Sequence, residues 1–194
     1  METENKTLIL LSGGLDSVTL LYDIRSRKAA DKITYLIFDY KQRHAQELMW
    51  AKEHAKRCGV IFITMELPQL GGLTEQSWIV PNRNACFISV GVNVACQIGA
   101  RELVIGCNSD DAESFPDCRK EFLDAMGIAL RAAGYDVEIC APFLNRSKYE
   151  IGKLANKFLI KSNEIWTCYA PKESKPCGEC PACNKLKTAN ICTQ

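Results

Sequence analysis

Short apolar runs alternate with segments of helical period from Leu8 to Phe158, and this alternation is the feature that most narrows the folds open to the chain. Leu8 to Leu11 is apolar without a break, as in a strand covered on both faces. Ile33–Tyr40, Val60–Met65, Glu102–Cys107 and Val137–Ala141 read as four further strands, the last closed by Pro142. Helical spacing gathers Val18, Leu20, Leu21 and Ile24 on a first helix. Gln42–Arg57 reads as a second, with Ala45, Leu48, Met49, Lys52 and Ala55 suitably spaced and a Glu53–Arg57 pair outside. Asn84–Ile98 is apolar on nearly every side, which predicts a helix deep in the core. Phe122, Met126, Ala129, Leu130 and Ala133 mark one face of a helix that stops near Gly134. Ser147 and Glu150 form a capping box opening a helix with Ile151, Leu154, Ala155 and Phe158. The pattern predicts an α/β fold with a five-stranded, mostly parallel sheet and helices on both faces. Ligands of such sheets bind beyond the carboxyl ends of the strands, where Ser12–Ser17, Asp39–His44, Asn108–Asp111 and Asn145–Lys148 all fall.

The first of these ends reads Ser12-Gly13-Gly14-Leu15-Asp16-Ser17. Two glycines permit a sharp turn and leave no Cβ to obstruct a polyphosphate, while Ser12 and Ser17 offer hydroxyl donors. The following helix aims its unpaired N–H groups at the same place, so an anion site is expected. The chain contains neither a Gly-x-x-x-x-Gly-Lys-Ser/Thr loop nor a Gly-x-Gly-x-x-Gly fingerprint. Ser-Gly-Gly-x-Asp-Ser instead resembles the pyrophosphate loop of the N-type ATP pyrophosphatases, which split ATP into AMP and pyrophosphate. A glycine-rich turn without a ligand is the plainer alternative.

A chain of 194 residues can bury roughly 70% of its unfolded surface in one core. Its 24 basic and 23 acidic residues leave a net charge of +1, which gives no electrostatic case for a nucleic-acid coat or an anionic membrane. No signal peptide or membrane span is expected from the short apolar run at the N-terminus, and a cytoplasmic protein is inferred.

Of 11 cysteines, Cys58, Cys86, Cys96, Cys107, Cys118 and Cys140 are scattered and read as small buried hydrophobes. Cys168, Cys177, Cys180 and Cys183 cluster, with two successive Cys-x-x-Cys steps turned by Gly178 and Pro181. Four thiolates match a closed, structural zinc site; reduced free thiols and an iron–sulfur cluster are the alternatives. Zinc binding worth on the order of 10 kcal/mol would fold a terminal segment poor in apolar residues, and the segment is expected to be disordered without metal. Lys172, Lys175, Lys185 and Lys187 around it read as solvated surface charges. The expected division is a nucleotide domain over 1–160 and a zinc segment over 161–194 packed on it.

Several further patterns follow the loop in order. They are Asp39-Tyr40-Lys41-Gln42-Arg43-His44 with Glu47, Val80-Pro81-Asn82-Arg83-Asn84 with Phe87, and Ile105-Gly106 with Asp111. Phe115-Pro116-Asp117-Cys118-Arg119 with Phe122, Ser147-Lys148 and Trp166-Thr167-Cys168-Tyr169 complete the series. Together, from about Leu8 to Cys183, they resemble the 7-cyano-7-deazaguanine synthase (QueC) family of the queuosine pathway. The resemblance implies an adenine nucleotide alpha hydrolase-like fold, a homodimer, and an ATP-dependent C–N ligase that turns 7-carboxy-7-deazaguanine and ammonia into a nitrile with two ATP. It implies that Leu11, Ser12, Gly13, Gly14, Leu15, Asp16, Ser17 and Asp39 bind ATP, with Mg²⁺ held by Asp16 or Asp111. Asp16, His44, Lys148 and Arg119 become the catalytic candidates, His44 as a base oriented by Glu47. Substrate binding falls to Arg43, Arg83, Asn84 and Asp117; Asp117 would accept from the exocyclic amine, and Arg43, Arg83 or Arg119 would fork onto the carboxylate. Cys118 reads as a packed residue rather than a nucleophile.

The family usually carries Gly where this chain has Lys41 and Asn82. Asparagine tolerates a left-handed backbone and lysine does not, and Lys41 is expected to place a bulky cation beside the pocket. These departures keep two other readings open. One is an adenylating relative that passes the acyl group to a protein or nucleic-acid amine or stops at the amide, and the other is an ATP-binding module without turnover.

Overall fold

The computed structural model of the protein describes residues 6–42, 46–72 and 80–192. Five strands, β1 Lys6–Leu10, β2 Ile33–Asp39, β3 Ile61–Glu66, β4 Ala100–Val104 and β5 Glu138–Cys140, form one sheet in the order β3-β2-β1-β4-β5. Every pairing in it is parallel. The helices are α1 Leu15–Arg25, α2 Gln46–Arg57, α3 Pro68–Gly72, α4 Arg83–Ile98, α5 Ser109–Ser114, α6 Lys120–Ala132, α7 Lys148–Lys157 and α8 Pro181–Thr188.

Because side chains alternate along a strand, the apolar run of β1 serves both faces of the sheet. Ile9 and Leu11 join one cluster with α1, α2 and α7, while Leu8 and Leu10 join the other with α4 and α6. Tyr35 and Ile37 against Leu36 and Phe38 divide β2 in the same way. Strand order reverses between β1 and β4, so the chain leaves these two neighbours toward opposite sides and opens a crevice at their carboxyl ends.

Three expectations are corrected. Helix α4 is not deep in the core: Ser89, Asn93, Cys96 and Gln97 line an exposed face, and only Asn84, Ile88, Gly91, Val92, Val94 and Ala95 are buried. The fourth strand ends at Val104, earlier than expected, and Ile105 to Cys107 run out as a loop. Among the scattered cysteines Cys107 and Cys118 are buried but Cys96 is exposed. The Ser147 capping box and the outward Glu53–Arg57 pair, 3.2 Å apart, form as expected.

The C-terminal segment shares the main core, since Ile160, Ile165 and Ala189 belong to the cluster of α1 and α7. Helix α7 meets the end of α8 at Gly152, where an added Cβ would lie 1.8 Å from the Ala189 carbonyl oxygen. Gly152→Ala is therefore expected to destabilise the fold by about 1–3 kcal/mol through overpacking. At roughly 2–4 °C per kcal/mol for a chain of this size, calorimetry should record a clearly lowered melting temperature.

Candidate active site and cysteine cluster

The turn after β1 is shaped by one close approach. Gly13 adopts φ +86° and packs where a Cβ would sit 2.0 Å from the Glu47 carbonyl oxygen, so only glycine fits. Gly14 keeps an ordinary extended backbone at φ −81° as the cap of α1. No side chain among the described residues caps that helix, which leaves its first-turn amides for an anion. Ser17 is buried; its hydroxyl lies 3.0 Å from the Ser12 hydroxyl and donates to the Gly14 carbonyl at 3.2 Å.

Beside the loop, Lys148 opens α7 with its ammonium buried and shared between two carboxylates. It donates to Asp16 Oδ2 at 2.5 Å and Asp111 Oδ2 at 2.9 Å. Asn108 caps α5 and donates to the same Asp111 oxygen at 2.7 Å, fixing the carboxylate. Burial pushes Asp16 up against the pull of Lys148, whereas Lys148 and Lys185 together hold Asp111 low despite its burial. The two carboxylates in turn keep Lys148 protonated. Asp16 Oδ1 is buried and has no hydrogen-bond partner among the described residues, an acceptor suited to a cation that arrives with a ligand.

Loop and ion cluster form one end of a cavity of about 230 Å³. Its other end is aromatic and apolar: Phe38 and Phe87 stack at 4.2 Å, and Tyr40, Cys107 and Cys118 close the wall. Arg83 enters here, donates to the Tyr40 hydroxyl at 3.2 Å and lies 5.8 Å from the Phe87 ring centroid. Glu47 also lines the cavity, accepting from Gln42 at 2.9 Å, and desolvation pushes its carboxyl up to about 8. A flat ring with a carboxylate would find stacking faces, a guanidinium and a polyphosphate cradle within one cavity.

The four clustered cysteines bring their sulfurs within 4.8 Å of one another. Cys168 to Cys177 spans 3.6 Å and Cys177 to Cys183 spans 4.0 Å. A tetrahedral ion with bonds of about 2.3 Å sets its sulfurs about 3.8 Å apart, so the cluster can hold one metal ion. The cluster is attached to the loop through Trp166, whose amide donates to the Gly13 carbonyl at 3.0 Å and whose indole donates to the Cys168 carbonyl at 3.2 Å.

Residues 6–191 match the family model described as queuosine biosynthesis protein QueC. The chain belongs to the QueC family. A 7-cyano-7-deazaguanine synthase of Leptospira interrogans is 35% identical over 93% of this chain and 84% of its own length. The 7-cyano-7-deazaguanine synthase of Caldicellulosiruptor saccharolyticus is 33% identical over 93% of this chain and 88% of its own. Among solved structures, the U34-tRNA thiolase NcsA of Methanococcus maripaludis, described with its 4Fe-4S cluster, aligns with a TM-score of 0.63 and 17% identity, over 88% of this chain and 62% of that one. An NH3-dependent NAD synthetase from Campylobacter jejuni aligns with a TM-score of 0.56 and 16% identity, over 84% of this chain and 69% of that one. These likenesses show the PP-loop fold, and the curated relatives make this QueC-family member one of a group of ligase enzymes.

Not every residue expected from the sequence reaches the cavity wall. Leu11, Ser12, Gly14, Leu15, Asp16, Ser17, Arg83, Asn84 and Lys148 line it. Arg43 and His44 lie outside the described residues. Asp39 accepts from the Lys41 amide at 3.0 Å and pairs with the Lys41 ammonium at 3.3 Å, away from the lining. Asp117 stands behind the wall, accepting from the Asn84 amide at 3.3 Å. Arg119 is exposed and donates to the Ala112 carbonyl at 2.9 Å. Both departures from the family pattern keep the backbone that glycine favours, Lys41 at φ +59° and Asn82 at φ +58°. Lys41 points its charge to Asp39 rather than into the cavity, which corrects the expectation of a cation beside the pocket.

Lys185 is the residue that the sequence reading missed. It is not a solvated surface charge: its side chain is 31% exposed, and it binds Asp111 Oδ1 at 2.9 Å and the Asp110 carbonyl at 3.0 Å. Its place two residues after Cys183 was the available signal, because a residue so close to a turn of four clustered cysteines has a defined direction.

Glu47 supplies a test of the cavity's electrostatics. Its pKa is raised from the ordinary 4.5 to about 8 in the folded chain, so its stabilising contribution is complete below 4.5 and is lost as pH rises through 8. Over that window Glu47→Gln should flatten the fall of stability with pH by at most about 1.4 kcal/mol per pH unit. Urea midpoints measured at pH 5 and pH 7.5 would record the change in slope.

Proposed function

We propose that this chain converts 7-carboxy-7-deazaguanine and ammonia to 7-cyano-7-deazaguanine, consuming two ATP. The observation that carries this reading is the buried Lys148, shared by Asp16 and Asp111 at the mouth of the Ser12–Ser17 loop. Family membership supplies the substrate, and the cavity's aromatic and cationic end is compatible with it.

In this reading the substrate carboxylate attacks the α-phosphorus of ATP, and the α–β phosphoanhydride bond breaks. Pyrophosphate leaves into the loop, where the α1 amides, Ser12, Ser17 and Lys148 stabilise the charge that grows on it. Ammonia then displaces AMP from the acyl carbon, giving the amide and releasing a proton. A second ATP adenylates the amide oxygen with loss of pyrophosphate and one N–H proton; elimination of AMP with the remaining N–H proton leaves the nitrile. Arg83 lines the cavity wall, which supports it as the arginine that holds the substrate carboxylate. The proton released on amide formation is assigned to His44 as base, oriented by Glu47, whose own carboxyl is raised to about 8 and so stays largely protonated below that pH.

The residues fit the two metals that this chemistry uses. Mg²⁺ entering with ATP would be held by Asp16, through its unpartnered Oδ1, and by Asp111, and supplies Lewis-acid charge to the phosphates. Zinc in the Cys168, Cys177, Cys180 and Cys183 set would have no open position, so its contribution is structural. Transfer to another acceptor would rest on Lys41 and Asn82, and both keep the left-handed backbone that glycine favours, which lends it no support. A division into 1–160 and 161–194 and a cytoplasmic setting, both read from the sequence, and a homodimer, on the strength of the resemblance, complete the proposal.

Zinc-loaded protein incubated with ATP, magnesium, ammonium and the carboxylated base should yield two pyrophosphates, two AMP and one nitrile per turnover, read by mass spectrometry and pyrophosphate assay. Pyrophosphate without nitrile would instead indicate transfer to another amine or arrest at the amide, and no ATP cleavage would remove the enzymatic reading. Asp16→Ala should abolish pyrophosphate release, and Lys148→Ala should lower kcat by about 10²–10³. Elemental analysis should find one zinc per chain, and Cys180→Ser should lower the yield of folded protein.

A further inference from the structure

Resting on the proposed adenylation, we propose that Lys185 is a positioning residue for that step, delivered to the ATP cavity by the metal-binding turn. Asp111 is the hinge of this inference. One of its oxygens accepts from Lys148 and Asn108, and the other accepts from Lys185 at 2.9 Å. With each oxygen claimed from a different side, the carboxylate cannot rotate, and Lys148 stays directed at the space between Asp111 and Asp16. Lys185 itself is held at three points: its ammonium also donates to the Asp110 carbonyl at 3.0 Å, it lies 5.8 Å from the Phe115 ring centroid, and its helix starts within the cysteine cluster.

The local sequence explains how a lysine of the tail reaches the crevice. Cys180 caps α8 through its sulfur, Pro181 starts the helix, and Cys183 is buried in its first turn. Two cluster thiols therefore fix both the start and the rotation of α8. The face so selected carries Ala182, Lys185 and Leu186 into the cavity wall. Lys172, on the same segment, is 71% exposed and pairs only with Glu179 in the structure described, which makes it the control position.

The role differs from that of Lys148, which contacts the loop carboxylate Asp16. Lys185 acts through Asp111, so its loss should slow formation of the transition state more than it weakens ATP binding. ATP–pyrophosphate exchange with the carboxylated base measures that step without requiring nitrile formation. Lys185→Gln should lower the exchange kcat about 3- to 5-fold, the upper part of the range for losing one partly exposed ion pair, with KM for ATP changed less than about twofold. Lys185→Arg should restore most of the rate, while zinc content and melting temperature stay at the level of the unaltered protein in both. Lys172→Gln should leave exchange unchanged.

Exchange in Lys185→Gln within twofold of the unaltered protein would overturn the inference. So would a loss of zinc or of melting temperature in parallel with the rate, since Lys185 would then serve only the fold of the tail. Exchange without nitrile in the unaltered protein would count against the proposed product while leaving the role of Lys185 standing, and no exchange at all would remove both.

Discussion

The shared ammonium of Lys148 is the contact on which the rest of the site depends, because it joins three chain segments that leave the sheet separately. Asp16 follows β1, Asp111 follows β4 and Lys148 follows β5. A buried carboxylate without a counter-charge is costly enough to neutralise itself, so Asp16 keeps its charge only with this lysine, while Asp111 shares it with Lys185. The topology places all three at the point where strand order reverses, and the charges then hold the ends of neighbouring strands together in a way that parallel pairing alone does not. The balance is unequal: Asp111 has two lysines and is held low, whereas Asp16 is pushed up by burial and keeps one oxygen without a partner. That asymmetry leaves the site short of cations on the side where the polyphosphate loop begins.

Much of this was legible along the chain. The period of β1 and β2, the glycines of the loop, the capping box of α7 and the cysteine spacing are local patterns, and the structure reproduces each. The exposed face of α4 was also legible, since Ser89, Asn93 and Gln97 repeat at helical spacing; counting every cysteine as buried hid it. What lay beyond sequence reasoning was set by the meeting of distant segments. Whether Asp39 or Asn84 reaches the cavity depends on how Lys41 folds back on Asp39 and how Asp117 supports Asn84. The bearing of Lys185 depends on where the cysteine turn docks. No pattern of spacing encodes those docking positions.

Aromatic and ionic halves of the cavity are also built differently. Apart from Asp16 Oδ1 and the first-turn amides of α1, the groups of the ionic half already satisfy one another, so under the proposed function an incoming polyphosphate must in part exchange partners. Phe38, Phe87 and Tyr40 provide faces that need no exchange. A planar ring can enter that half without disturbing the charges, and the phosphates carry the rearrangement.

The amide of Trp166 holds the Gly13 carbonyl, and the Glu164 carbonyl meets the ring of His54, buried on α2. Both contacts span more than 100 residues of chain. During synthesis the sheet can therefore be complete while the turn after β1 still lacks the strap that fixes it, and the candidate site is finished only when the segment around Glu164 and Trp166 has emerged and folded.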